Sequence, residues 1–223
     1  MNVLFEDNHC IAVVKPAGMP VQGDASGDRS LLDLVGAYLK ATHAKPGAAF
    51  VGLVHRLDRP VGGIVVFGKT SKGASRLSEQ FRTHHVLKTY WAVVEGAPVQ
   101  GEGSVIQWIR KDRATNIAEA FDTEVPDAKR AELSYRVLRS RDGMTLVEVT
   151  PLTGRSHQIR LAMRSLGCPI VGDAKYGAKK ALGGTIALFA VGLTFTTPVG
   201  DAPVVLHARP EWTFFPIEDI ALP

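Results

Sequence analysis

Cysteine is scarce in this chain of 223 residues, which carries only Cys10 and Cys168. Two thiols so far apart, neither with metal-ligand spacing around it, argue against a disulfide framework and against zinc. Each reads as a small buried apolar residue. Aromatic residues are also few, at 7%, so a core must come mainly from the aliphatic part of the 45% hydrophobic content. No apolar run reaches the length of a membrane span. The opening Met1-Asn2-Val3-Leu4-Phe5-Glu6-Asp7 has neither the basic nor the apolar region of a signal peptide, so the expectation is a cytoplasmic protein without membrane contact. Internal repeats, low-complexity tracts and linkers are lacking, as are the Gly-x-Ser-x-Gly elbow and the His-Glu-x-x-His zinc motif. The length fits one large domain or two small ones.

Charge is present in modest excess. The net charge is +4, and its distribution says more than its total. Between Arg155 and Lys180 stand six basic residues (Arg155, Arg160, Arg164, Lys175, Lys179 and Lys180) against one acid, Asp173. That local excess suits a polyanion, although a solvated basic face is the plainer reading of such a run.

The most informative stretch is Val54-His55-Arg56-Leu57-Asp58-Arg59-Pro60-Val61-Gly62-Gly63, followed by the strand-like Ile64-Val65-Val66-Phe67. It sets one carboxylate between two arginines, which favour its ionised form. The proline and the glycine pair that follow set a turn and allow another backbone to come close. This is the arrangement of a reactive group on a loop at the mouth of a sheet. A surface salt bridge before a core strand is the bland alternative.

Around it the pattern is of short strands and few helices. Val3 to Phe5 and Cys10 to Lys15 read as strands about the turn Glu6-Asp7-Asn8-His9. Lys15-Pro16-Ala17-Gly18-Met19-Pro20 enforces a loop. Ser30 reads as the cap of a helix with Leu31, Leu34, Val35, Tyr38 and Leu39 on one face. The Lys45-Pro46-Gly47 break leads into the central stretch. Ser71 is placed to cap a second helix, with Ala74, Leu77 and Phe81 on its apolar side and the adjacent His84 and His85 at its exposed end. Lys88 to Val94 is a strand. Ala97 to Asp127 is weakly patterned and reads as a hairpin and loops. Ala131 to Leu138 and Met144 to Thr150 alternate around the hairpin signal Arg141-Asp142-Gly143. A helix from about Ser156 to Leu166 ends at Gly167, where positive φ is needed. Ile186 to Phe195 and Val204 to Leu206 flank a turn at Pro198-Val199-Gly200-Asp201. These elements predict an α+β fold on a largely antiparallel sheet.

One pattern points elsewhere. Gly63-Ile64-Val65-Val66-Phe67-Gly68-Lys69-Thr70 matches the phosphate loop of nucleotide hydrolases letter for letter. That mechanism needs small residues whose N–H groups wrap a phosphate. Here the variable positions are Ile-Val-Val-Phe, the makings of a strand. A nucleotide hydrolase is therefore kept only as a remote alternative.

A second stretch supplies chemistry that suits Asp58. Leu152-Thr153-Gly154-Arg155-Ser156-His157-Gln158-Ile159-Arg160 launches a helix with two arginines in its opening turns. Arginine near a helix N-terminus opposes the macrodipole and calls for a compensating partner. Arg155 and Arg160 diverge, so one could hold Asp58 while the other meets a phosphate.

Taken together, these segments resemble the RluA type of RNA pseudouridine synthase. The resemblance rests on His55-Arg56-Leu57-Asp58, on Lys88-Thr89-Tyr90, on Gly154-Arg155-Ser156-His157-Gln158-Ile159-Arg160, and on Gly167-Cys168-Pro169-Ile170-Val171-Gly172-Asp173-Ala174-Lys175-Tyr176-Gly177. Glu6-Asp7-Asn8-His9 and Lys15-Pro16-Ala17-Gly18 match the family's opening. The resemblance implies a pseudouridine synthase fold: one catalytic domain over residues 1–223, a central mixed but largely antiparallel sheet flanked by helices, and an active-site cleft. It implies a stand-alone catalytic domain without the small N-terminal S4 RNA-binding domain of many relatives.

It also implies a reaction. A uridine in a ribosomal or transfer RNA stem-loop is isomerised: the N1–C1′ bond breaks, the uracil turns, and C5 joins C1′. No metal or cofactor takes part, and the expected enzyme is a monomer. Asp58 matches the essential aspartate, acting either as nucleophile on the ribose or as base toward a glycal. Arg160 matches the arginine paired with that carboxylate. Tyr90 matches the tyrosine that packs on the target base, with a core tyrosine as the plain alternative. Arg56 matches the arginine that fills the space of the flipped uridine. Arg155, Arg164 and Lys175 are candidate RNA contacts. His55 and His157 are read as loop-shaping residues, and Asp173 and Tyr176 as ordering the loop after the helix. The sequence departs from the family in having Val61-Gly62-Gly63 for a Thr-Ser-Gly-like turn, and Ala162 and Phe189 where histidines are frequent. A non-catalytic RNA-binding relative is the main competing class.

Overall fold

The computed structural model describes residues 1–43, 47–112 and 115–223, so Lys45 and Pro46 of the expected break lie outside the described residues. In chain order the elements are β1 (Asn2–Glu6), β2 (Cys10–Lys15), α1 (Leu31–Thr42), β3 (Gly52–Leu53), β4 (Gly62–Gly68), α2 (Ser71–Arg82), β5 (Leu87–Glu95), β6 (Glu102–Asp112), β7 (Ile117–Phe121), β8 (Lys129–Arg141), β9 (Met144–Pro151), α3 (Gln158–Ser165), β10 (Leu188–Thr196) and β11 (Pro203–His207). They fall into two compact units. One holds Met1–Leu87, Ala190–Pro210 and Leu222–Pro223; the other holds Lys88–Phe189 and Glu211–Ala221.

In the first unit the strand order is β1-β2-β4-β10, with β11 beside β10 and β3 beside β4. The β1–β2 hairpin is closed by Asp7, whose Oδ1 accepts the backbone N–H groups of His9 and Cys10 at 2.6 Å each. β2 runs antiparallel to β4, from Cys10 opposite Gly68 to Lys15 opposite Gly63. All seven residues of β4 are buried. A strand covered on both faces has no reason to alternate, which is why its sequence is a continuous apolar run. Period two still sorts its side chains: Ile64 and Val66 share a face and pack with Leu77 of α2 and with Leu193 and Phe195 of β10.

Both helices of this unit are capped by hydroxyls. Ser30 and Asp33 form a capping box at α1, worth about 1 kcal/mol. α2 is capped by Thr70 and not by Ser71, because the Thr70 Oγ1 accepts the Gly73 N–H at 3.0 Å.

The phosphate-loop reading fails on these facts. Gly63 to Gly68 are paired in the ladder with β2. The Lys69 ammonium donates to Glu6 Oε1 at 2.5 Å and to the Asp7 carbonyl at 2.6 Å. Amides engaged in a sheet and a lysine bound to a carboxylate offer no phosphate nest.

In the second unit the order is β5-β9-β8-β6-β7, antiparallel at each pairing. The β8–β9 turn has Asp142 and Gly143 both at positive φ, the geometry its sequence signalled. The region read as a hairpin and loops contains the eleven-residue strand β6, paired with both β7 and β8. Only Gln107 and Ile109 of β6 are buried, so most of its positions are free to be polar and the pattern is diluted. α3 covers this part of the sheet: Leu161 packs with Ile109, Ala118, Ala131 and Tyr176. α3 starts at Gln158, later than expected, because His157 sits at φ 58 in the left-handed region. It ends as expected: the Gly167 N–H bonds the Arg164 carbonyl and the Cys168 N–H bonds the Met163 carbonyl, with Gly167 at φ 76.

The two free cysteines are fully buried. Burial pushes the Cys10 thiol up and that of Cys168 up to about 11, so neither is a nucleophile at neutral pH. No helix among the described residues is long and apolar enough to cross a membrane.

Candidate active site

Asp58 lies half-buried on the turn that precedes β4. Its carbonyl accepts the Val61 N–H at 3.0 Å, which closes the turn over Arg59 and Pro60. Gly63 follows at φ 125, and a Cβ there would come within 2.4 Å of the Ala190 backbone nitrogen. Gly63 therefore admits the neighbouring strand, as its sequence suggests. His55 shapes the approach: its Nε2 accepts the Val66 N–H at 3.0 Å and its ring stacks on Phe81 with centroids 4.3 Å apart.

The two flanking arginines differ in placement. Arg59 turns away to the loop at 18–28, donating from Nε to the Gly18 carbonyl at 3.0 Å and from its Nη atoms to Asp24, Ser26 and Asp28. Arg56 is exposed. The cation that the sequence did not single out is Lys15. It is completely buried, and its Nζ donates to the carbonyls of Pro16 (3.0 Å), Met19 (2.7 Å) and Arg59 (3.1 Å). All three ammonium protons are thereby satisfied, and the 16–19 loop is tied to the residue next to Asp58. Burial pushes the Lys15 pKa down to about 7; the Asp58 carboxylate pulls it back up, and the Arg59 charge adds to the depression. A lysine closing an apolar strand carries no sequence mark of such burial.

The second constellation gathers around α3. Arg160 is 6% exposed and Asp173 is 1% exposed. The Arg160 Nε donates to Asp173 Oδ2 and its Nη2 to Asp173 Oδ1, both at 2.7 Å. This fork supplies the compensating anion that an arginine in the first turn of a helix calls for. The Tyr176 ring lies under the same guanidinium, 4.8 Å from Cζ to centroid. The Tyr176 hydroxyl lies 2.6 Å from His157 Nδ1 and accepts the Ala118 N–H at 3.1 Å. Asp173 and Tyr176 thus do more than order a loop. The signal was available: Asp173 is the one acid among six bases.

The turn before α3 is built by Gln158. Its Oε1 accepts from the Thr153 hydroxyl (2.7 Å) and the Arg155 N–H (3.0 Å), while its Nε2 donates to the Glu132 carbonyl (2.9 Å). Arg155 is exposed, with its Nε on the Arg130 carbonyl at 3.0 Å. Arg164 is exposed in the last turn of α3, where a cation suits the helix dipole. Lys175 is exposed and donates to the Asn116 carbonyl at 3.1 Å. Tyr90 is half-buried on β5, opposite Val149 of β9, ahead of the fully buried Trp91 to Val94. Among the described residues no group of three or more His, Cys, Asp or Glu is placed to hold a metal ion.

The first unit thus carries a half-buried carboxylate on the turn before a buried strand, and the second a guanidinium on α3 fixed by a carboxylate fork. The RNA pseudouridylate synthase family model matches residues 9–165, and the chain belongs to that family. A ribosomal large subunit pseudouridine synthase C from Rickettsia felis is 38% identical over 181 residues, which cover 81% of this chain and 57% of the relative. The mitochondrial pseudouridylate synthase RPUSD4 of Xenopus tropicalis is 31% identical over 252 residues, 95% of this chain and 78% of that one. The solved structure of human RNA pseudouridylate synthase domain containing 4 superposes with a TM-score of 0.78 at 26% identity, covering 94% of this chain and 89% of that one. The chain thus spans little more than half the length of the Rickettsia relative. These likenesses bear out the α+β pseudouridine synthase fold expected from the motifs.

Proposed function

We propose that this protein isomerises uridine to pseudouridine in a structured RNA, ribosomal or transfer, with Asp58 as the essential carboxylate. The observation that carries the reading is that one family model runs unbroken over residues 9–165, taking in Asp58, Tyr90 and Arg160 together. Residues 1–223 act as a single catalytic domain with a cleft for the RNA. Asp58 attacks the ribose at C1′ or removes a proton to give a glycal. In either course the N1–C1′ bond breaks, uracil turns, C5 bonds to C1′, the C5 proton leaves, and N1 takes up a proton. Arg160 holds the Asp58 carboxylate charged and aimed. Two of its five N–H groups serve Asp173. Tyr90 packs on the base.

Arg56, exposed two residues before Asp58, fills the stack left by the flipped uridine. Arg155, Arg164 and Lys175, all exposed, meet phosphates. The reaction uses no cofactor, and the enzyme works as a monomer in the cytoplasm.

The test is turnover on ribosomal and transfer RNA transcripts carrying uridine tritiated at C5, read as tritium release. Asp58→Asn should abolish release while RNA affinity stays within a few-fold of the parent. Retained turnover in that variant sinks the assignment of Asp58. Tight RNA binding by the parent without any release favours a non-catalytic relative.

A further inference from the structure

Asp173 and Tyr176 stand outside the roles assigned above, yet they are among the most buried polar groups of their unit, at 1% and 2% exposure. Their backbone is rigid. The Asp173 N–H bonds the Ile170 carbonyl at 2.9 Å, and the Asp173 carbonyl accepts from the N–H groups of Tyr176 (3.0 Å) and Ala178 (3.1 Å). From this turn the Asp173 carboxylate meets the Nε–Nη2 edge of Arg160 with two equal bonds of 2.7 Å, and the Tyr176 ring covers one face of the guanidinium. The Tyr176 hydroxyl is held in turn by His157, the residue just before α3, and by Ala118 of β7. A guanidinium on a flexible stem has many orientations. An edge bond and a face contact together leave it one.

We propose that Asp173 and Tyr176 are positioning residues for the isomerisation, fixing the Arg160 guanidinium in one plane and one orientation. This deepens the reading of Asp58 and Arg160 above and rests on it. Neither residue touches the substrate. Their effect therefore falls on turnover and leaves RNA binding alone.

Asp173→Asn keeps the shape but presents an NH2 group to a guanidinium N–H, so the fork is lost. Its kcat should fall at least about tenfold, as for other residues that orient a catalytic group, with the RNA Kd within about threefold of the parent. Tyr176→Phe keeps the ring and drops the hydroxyl tie; a smaller fall in kcat, about threefold or more, is expected, again without change in Kd. A double-mutant cycle completes the test. In an Arg160→Lys background, where no planar edge remains to be aligned, Asp173→Asn should cost less than about twofold further. Parent-like kcat in folded Asp173→Asn overturns the proposal, as does a full additional loss in the Arg160→Lys background. If Asp173→Asn does not fold, Tyr176→Phe decides alone, and a parent-like kcat there overturns the proposal. Asp58→Asn, run alongside, separates the failures: if it turns over, the underlying reading is wrong, and if it is dead while Asp173→Asn is unimpaired, only the positioning role is lost.

Discussion

Lys15 and Arg160 are both sunk in the protein, at 0% and 6% exposure, one in each unit, and their surroundings differ in kind. Lys15 is met by three neutral carbonyls. Arg160 is met by the two oxygens of Asp173. Carbonyl dipoles satisfy the protons of an ammonium without cancelling its charge, so burial drives the Lys15 pKa down to about 7 and the proton becomes easy to lose. A guanidinium does not give up its proton at any working pH, and a carboxylate fork also sets its plane. The lysine can tie loops together around a site. The arginine can aim a charge within one.

Exchanging the two solutions gives the largest expected effect. Arg160→Lys places an ammonium where a fork is matched by a carboxylate. A point charge keeps the ion pair with Asp173 but loses the plane and the second direction of donation. Turnover should drop on the order of a hundredfold, with RNA affinity much less affected. Single-turnover tritium release gives the number, and a rate near the parent's would erase the distinction drawn between the two cations.

The same contrast predicts a pH signature from Lys15. Its ionisation falls near 10.5 in a free chain and near 7 when folded. Between those values the unfolded chain holds a proton that the folded chain has released. Stability therefore rises with pH through that window, and is lower by the full amount below about pH 7, where both forms are protonated. The slope approaches about 1.4 kcal/mol per pH unit for one proton. Lys15→Met removes this contribution, so between about pH 7 and pH 10 its unfolding free energy should climb less steeply than the parent's. Denaturant midpoints across the range measure the difference. Parallel curves for parent and variant would mean that the buried ammonium keeps an ordinary ionisation.

Much of this was legible in the sequence, and what was hidden has physical reasons. β2, β4 and the β8–β9 hairpin were readable because each is covered on at least one face and the pattern reports burial. β6 was obscured because few of its residues are buried. The start of α3 was misplaced because the left-handed turn at His157 is set by Gln158 bonds to Thr153 and Glu132, which local propensity does not register. Asp58 and Arg160 were singled out as candidates through motifs. The direction of Arg59 was not, since its partners Asp24, Ser26 and Asp28 come from a distant loop. Nor was the Asp173 fork assigned, although a lone acid in a basic run invites the question.

A third cation sharpens the comparison with the smallest effect. Lys88 is the second residue of the strand that carries Tyr90, is half-buried, and makes a long bond from Nζ to the Thr153 carbonyl at 3.4 Å. Burial lowers its pKa as well. The sign is the same as for Lys15: the folded form releases its proton first, so stability gains as pH rises toward the ordinary lysine range. The size must be smaller if full burial inside a closed carbonyl cage is what depresses Lys15, because Lys88 keeps part of its hydration. Lys88→Met should therefore flatten the alkaline rise in stability less than Lys15→Met does, in the same denaturant series. The reverse order would show that depth of burial does not rank the two amines, and that the weak bond of Lys88 leaves it the more poorly solvated of the pair.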